Sequence, residues 1–114
     1  MAPPRWHILT SGDTLTLARH LPPRFDVVAE TRLPAMGRRR LAHQVRQDMW
    51  RALQRLRGFS PVVEVTRDGD AVRLRAGGRV AGPCPPNAAA RIASVLADPG
   101  NRARWARYAG GAKT

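Results

Sequence analysis

Three histidines, one cysteine and eight acidic residues are the groups through which this chain could do acid–base, nucleophilic or metal chemistry. General acid–base catalysis needs titratable side chains converging on one pocket. The acids stand singly along the chain except Asp68 and Asp70, whose spacing about Gly69 is that of a turn. His7, His20 and His43 are far apart and lack the i,i+4 spacing that sets two imidazoles on one helical face, so no metal centre is expected. Cys84 sits between Pro83 and Pro85 with no histidine beside it, the setting of an incidental thiol, and as the sole cysteine it can form neither an intrachain disulfide nor a cysteine-based zinc site. Gly77-Gly78 and Gly110-Gly111 lack the Lys-Ser/Thr and the strand–loop–helix spacing that cradle phosphate. No catalytic residue and no cofactor is therefore expected, and the chain does not read as an enzyme.

Binding chemistry is better represented. Lys plus Arg number 20 against 8 Asp plus Glu, a formal charge of +12, and 19 of the 20 cations are arginine. A GC-rich genome alone can favour Arg over Lys, but it does not explain the scarcity of acids, and a charge this far from zero costs stability by self-repulsion unless an anion is near. Nucleic acid, DNA or RNA, is the first expected partner, and an acidic protein partner the second. Aromatic and basic residues interleave in two places. In the first, Arg38, Arg39, Arg40, His43, Arg46, Trp50, Arg51 and Arg57 crowd one stretch that holds a single acid, Asp48. There an indole can stack on a base while guanidiniums, with their planar forks, hold phosphates. Alternatively Trp50 packs beneath another element, the C-terminal helix or a homodimer mate. Arg38-Arg39-Arg40 opens that stretch, where a helix dipole prefers acids, and a bound phosphate would relieve the mismatch. The second place is Arg102-Ala103-Arg104-Trp105-Ala106-Arg107-Tyr108; Trp105 and Tyr108, three residues apart, are expected to anchor the last helix together.

These residues need elements to hold them. Between Gly37 and Gly58 no Pro or Gly intervenes, and Leu41, Val45, Met49, Ala52, Leu53 and Leu56 recur at helical spacing, so a long helix is expected over about 38–57, its core stripe opposed by a face rich in arginine. Val62–Arg67 and Asp70–Arg75 flank Asp68-Gly69, a pair suited to a type I′ hairpin. Setting Arg67 opposite Asp70 pairs Val65 with Val72 and Val63 with Leu74 on the core side, and puts Arg73 opposite Glu64 and Arg75 opposite Val62 on the other. Arg73 and Arg75 thus join the candidate anion contacts. A short third strand is expected over 76–81 and a strand over 24–33. Residues 6–10 read as a strand. Thr14-Leu15-Thr16-Leu17 alternates with period two, yet Ser11 or Asp13 could cap a helix ending before Pro22-Pro23, and the helix is the preferred reading. Asn87 caps a helix over 88–97, stopped by Asp98-Pro99-Gly100, and a last helix covers 101–109.

The expected fold is one α+β domain over 1–114, a small, mostly antiparallel sheet of three to five strands with helices on one face and residues 110–114 a frayed tail. The order long helix, hairpin, possible third strand, helix is similar in topology to the double-stranded-RNA-binding layout. It departs from that family where Pro85-Pro86-Asn87-Ala88-Ala89-Ala90 stands in place of a basic cluster opening the final helix. No apolar run approaches the roughly 18 residues of a membrane span, and the first ten residues lack the apolar core of a secretory signal, so the expected location is the cytoplasm.

Overall fold

A computed structural model describes residues 6–110 as an α+β fold. Strands β1 (His7–Ser11) and β2 (Thr14–Ala18) precede β3 (Val27–Pro34), helix α1 (Arg38–Leu53), strands β4 (Phe59–Asp68) and β5 (Ala71–Val80), and helices α2 (Ala88–Ala97) and α3 (Pro99–Ala109). The five strands form one sheet in the order β1-β2-β4-β5-β3, antiparallel throughout. Rows of opposed residues define its core face: Leu15, Val65, Leu74 and Thr31 in one row, and Leu17, Val63, Ala76 and Ala29 in the next. Against them α1 buries Leu41, Val45, Met49 and Leu53, and α2 buries Ile92, Val95 and Leu96. Helix α3 lies over α1 and α2 and delivers Trp105 into the same core.

The expected helix near residues 14–20 is instead β2. Gly12, at φ +59°, turns the chain so that Leu15 and Leu17 fall on the core side, while Thr14 meets Thr66 hydroxyl to hydroxyl at 2.9 Å. Period-two burial outweighed the capping signal because the neighbouring strand supplied a partner. The third strand over 76–81 is also absent: Ala76–Val80 continues β5, which pairs along its whole length with β4 and from Ala71 to Gly78 with β3. No helix–three-strand–helix order exists, since three of the strands precede α1.

The hairpin register differs by two residues. A type I′ turn over Asp68-Gly69 needs positive φ at both, but only Gly69 has it, at +65°. The loop residues are therefore Gly69-Asp70, the sign pattern of a type II′ turn, and Asp68 faces Ala71. Each side chain keeps its expected face, but Glu64 opposes Arg75 rather than Arg73, and Val65 opposes Leu74. At Gly77 a Cβ would stand 1.9 Å from the Val27 carbonyl oxygen, so the close approach of β3 admits no side chain there.

Helix α1 ends at Leu53, four residues short of the expected 57. Gly58, at φ +71° and tight against Ala81, reverses the chain into β4, so Leu56 reaches the core from the turn. Asn87 precedes α2 without a side-chain capping bond. Asp98 does more than stop α2: its carboxylate accepts from the Asn101 amide at 2.8 Å and Pro99 opens α3, which begins two residues earlier than expected. Of the expected frayed tail, residues 111–114 lie outside the described residues. No helix among the described residues is long and apolar enough to cross a membrane.

Candidate nucleic-acid interface

The two faces of the molecule differ in charge because their acids differ in number and use. The sheet and its connecting loops, residues 6–37 and 59–87, hold seven arginines and six acids. On the face away from the helices these pair off: Arg75 with Glu64 at 3.1 Å, Arg73 with Asp68 at 3.7 Å and Glu30 at 3.9 Å, and Arg32 with Asp68 at 3.7 Å. The Arg75 guanidinium also lies 4.9 Å from the Phe25 ring centroid. Of the candidate anion contacts, then, Arg73 and Arg75 lie together on the sheet but each already faces an acid.

Segments 38–58 and 88–110 hold eleven arginines and two acids, Asp48 and Asp98. Of the arginines on the outer face of α1, these acids reach only Arg51. Asp98 caps α3, and Asp48, only 7% exposed, is turned inward to join α1 to α3. Its carboxylate accepts from Trp105 Nε1 at 2.7 Å and from both terminal nitrogens of Arg104 at 3.0 Å, and Asn101 Oδ1 accepts from Arg104 at 2.7 Å. Trp105 is fully buried. Arg102 donates to Thr31 Oγ1 and to the carbonyls of Leu96 and Arg32, tying α3 to β3.

The arginines of α1 divide accordingly. Arg38 is buried at the helix start. Arg46 is half-buried, its guanidinium 4.7 Å from the Trp6 ring centroid, and burial holds it below the ordinary guanidinium value. Arg51 is exposed and 3.8 Å from Asp48, whose carboxylate Arg104 already holds closer. Arg39, Arg40, Arg55 and Arg57 are exposed and take part in no ion pair among the described residues. With Arg51 they make five accessible cations along α1 and the turn that follows it.

Trp50 is 53% exposed and lies beneath no other element among the described residues. Tyr108 is 57% exposed, so the expected joint anchor is half right: Trp105 is buried, and the core stripe of α3 continues through Ala109 instead. Ala109 is fixed by its carbonyl, which accepts from the Gly37 amide at 2.8 Å and brings the end of α3 beside the start of α1. Tyr108 is thereby carried to the arginine-rich face, where with Arg39, Arg40, His43 and Gln44 it lines a cavity of about 300 Å³. Three residues of this surface are missing from the candidate contacts read in the sequence. Arg55 and Gln44 lie within the expected helix but outside the arginine and aromatic pattern singled out there, and Tyr108 pairs by spacing with Trp105; counting four residues from Trp105 to Ala109 separates the two.

Partial burial and the positive charges of Arg46 and Arg39 hold the His43 imidazole below its ordinary pKa of 6.5. Above pH 6.5 the ring is neutral in both the folded and unfolded chain and contributes no pH dependence. As pH falls below 6.5 the unfolded chain takes up the proton first, so stability declines until folded His43 is itself protonated. Thermal midpoints measured from pH 7.5 to 5 are expected to fall over this window, and His43→Gln is expected to flatten that part of the profile. An identical slope in the variant would assign the decline to other groups.

Compared with protein-family models, curated proteins and solved structures, the chain matches none of them. Among the described residues no three His, Cys, Asp or Glu side chains gather as they would around a metal ion.

Proposed function

We propose that this protein is a non-catalytic, cytoplasmic nucleic-acid-binding protein that holds phosphate backbones on Arg39, Arg40, Arg51, Arg55 and Arg57. The observation that carries the reading is the segregation of charge: the sheet side is close to neutral, while the helical side concentrates arginine around an acid that is already committed inside the fold. A solvated helix ordinarily mixes signs to gain i,i+4 pairs. This one repels itself until a polyanion arrives, and the counterions such an encounter releases drive binding.

Five phosphate contacts correspond to a log–log salt slope of roughly −3.5 for single strands and −4.5 for duplex. Fluorescence anisotropy of labelled oligonucleotides with nuclease-treated protein, titrated from 0.1 to 0.6 M salt, measures it. A slope near zero, or affinity no tighter than the nonspecific range of about 10⁻⁴–10⁻⁶ M at physiological salt, would remove the reading.

The exposure of Trp50 favours a second reading, an interface for another copy of this chain or for an acidic protein partner. An indole left half in water is the kind of residue on which interface energy concentrates. An interface built around Trp50 would weaken little with salt, and the same titration, run with sedimentation at matched concentrations, separates the two.

A further inference from the structure

The cavity between α1 and α3 brings together groups that backbone binding does not require. It is lined by Tyr108, Gln44, His43, Arg39 and Arg40, residues that carry a phenol ring, an amide, an imidazole and two guanidiniums. At about 300 Å³ it lies at the small end of the range for small-molecule sites, the scale of a single planar group. Tyr108 is 57% exposed and so within reach of a ligand from solvent. The Gln44 amide carries both a donor and an acceptor, the pair needed against the hydrogen-bonding edge of a base. Arg39 and Arg40 supply positive charge at the rim without an acid to hold them among the described residues.

We infer that this cavity receives one unpaired nucleobase, stacked on Tyr108 with its edge toward Gln44 and its flanking phosphates on Arg39 and Arg40. The inference rests on the nucleic-acid reading above and specifies its substrate class: single strands rather than duplex. In a duplex the bases are paired and stacked inside, and delivering one to a protein pocket requires flipping it out at a cost of a few kcal/mol. A single strand meets no such cost, and sequence-tolerant stacking on an aromatic side chain is how proteins commonly hold it.

Four proteins test this: wild type, Tyr108→Ala, Gln44→Ala and Arg55→Ala/Arg57→Ala, the last altering the basic face outside the cavity. Each is titrated against a single-stranded oligonucleotide, the same strand bearing abasic sites, and a duplex of equal length. Loss of one stacked base is worth roughly 5- to 150-fold. Tyr108→Ala is expected to weaken the single strand by a factor in that range and the duplex by less than about twofold, and the abasic strand is expected to bind wild type as weakly as the intact strand binds the variant. Gln44→Ala should lower single-strand affinity less than Tyr108→Ala, and Arg55→Ala/Arg57→Ala should weaken all three ligands together. If Tyr108→Ala and the abasic strand leave affinity unchanged, or Tyr108→Ala weakens strand and duplex alike, the cavity assignment is overturned. The basic face survives that outcome provided Arg55→Ala/Arg57→Ala still weakens binding. Should that variant also bind like wild type, the placement on the basic face fails together with the cavity assignment, and only a wild type with no affinity beyond the nonspecific range removes the nucleic-acid reading itself.

Discussion

Replacing Asp48 with alanine is expected to lower the thermal midpoint by about 10–20 °C. The carboxylate is 7% exposed and accepts at once from the buried Trp105 indole and from a two-pronged Arg104 guanidinium. Its removal strands an N–H in the core, which costs about 1–3 kcal/mol, and leaves Arg104 with Asn101 in place of its counter-charge. Breaking a fully buried pair costs about 3–5 kcal/mol. The Arg104 side chain keeps 29% of its surface in water, so solvent recovers part of that and a total near 3 kcal/mol is expected. Trp105→Phe removes one hydrogen bond and keeps the ion pair, but the smaller ring leaves a gap in a fully buried site, so it should cost about 2–3 kcal/mol. Circular dichroism melts of the two variants decide the matter: a midpoint for Asp48→Ala within about 2 °C of wild type would mean that α3 is held on α1 without a net contribution from the Asp48 carboxylate.

The second large effect is on binding. The fourfold variant Arg39→Ala/Arg40→Ala/Arg55→Ala/Arg57→Ala is expected to flatten the single-strand salt slope by about 2.8, since each phosphate contact contributes about 0.7. At 0.15 M salt that amounts to a loss of affinity on the order of a hundredfold. These positions are exposed and form no ion pair among the described residues, so the fold should tolerate the change and melt close to wild type. Arg73→Ala/Arg75→Ala is the control on the sheet, where Glu30, Glu64 and Asp68 already face the cations. Equal losses per arginine removed would show that net charge, not the helix face, governs association.

The long helix, the hairpin and α2 were legible from the chain because each announces itself locally, through an unbroken apolar period, a Gly-containing turn or a Pro-bounded run. What failed did so where a distant partner decides. Thr14–Leu17 carries both a strand period and a helix cap, and only pairing with Val63 and Val65 of β4, nearly fifty residues on, resolves it. The hairpin shifted by two because the turn type depends on which residue takes positive φ, and Gly69 alone does. The arginine-rich face of α1 was visible, but its arithmetic was not. That Asp48 spends its charge on Arg104 and Trp105, that Arg46 lies against Trp6, and that Glu64 faces Arg75 are all tertiary facts. Periodicity placed Tyr108 with Trp105 because residues three apart share a broad helical face. The narrower contact surface of α3 admits only Trp105 and Ala109.

The two outermost strands of the sheet are not alike. Strand β3 carries Glu30, Arg32 and a terminal Pro34, side chains that discourage another backbone from adding alongside it, whereas β1 is five residues long and mostly exposed, with Leu9 42% accessible. A sheet guarded on one side can grow only on the other. Two copies that met through β1 would each use their single receptive edge and leave none for a third. Self-association along the backbone, where it occurs, would close as a twofold pair of ten strands and could not propagate into a fibre.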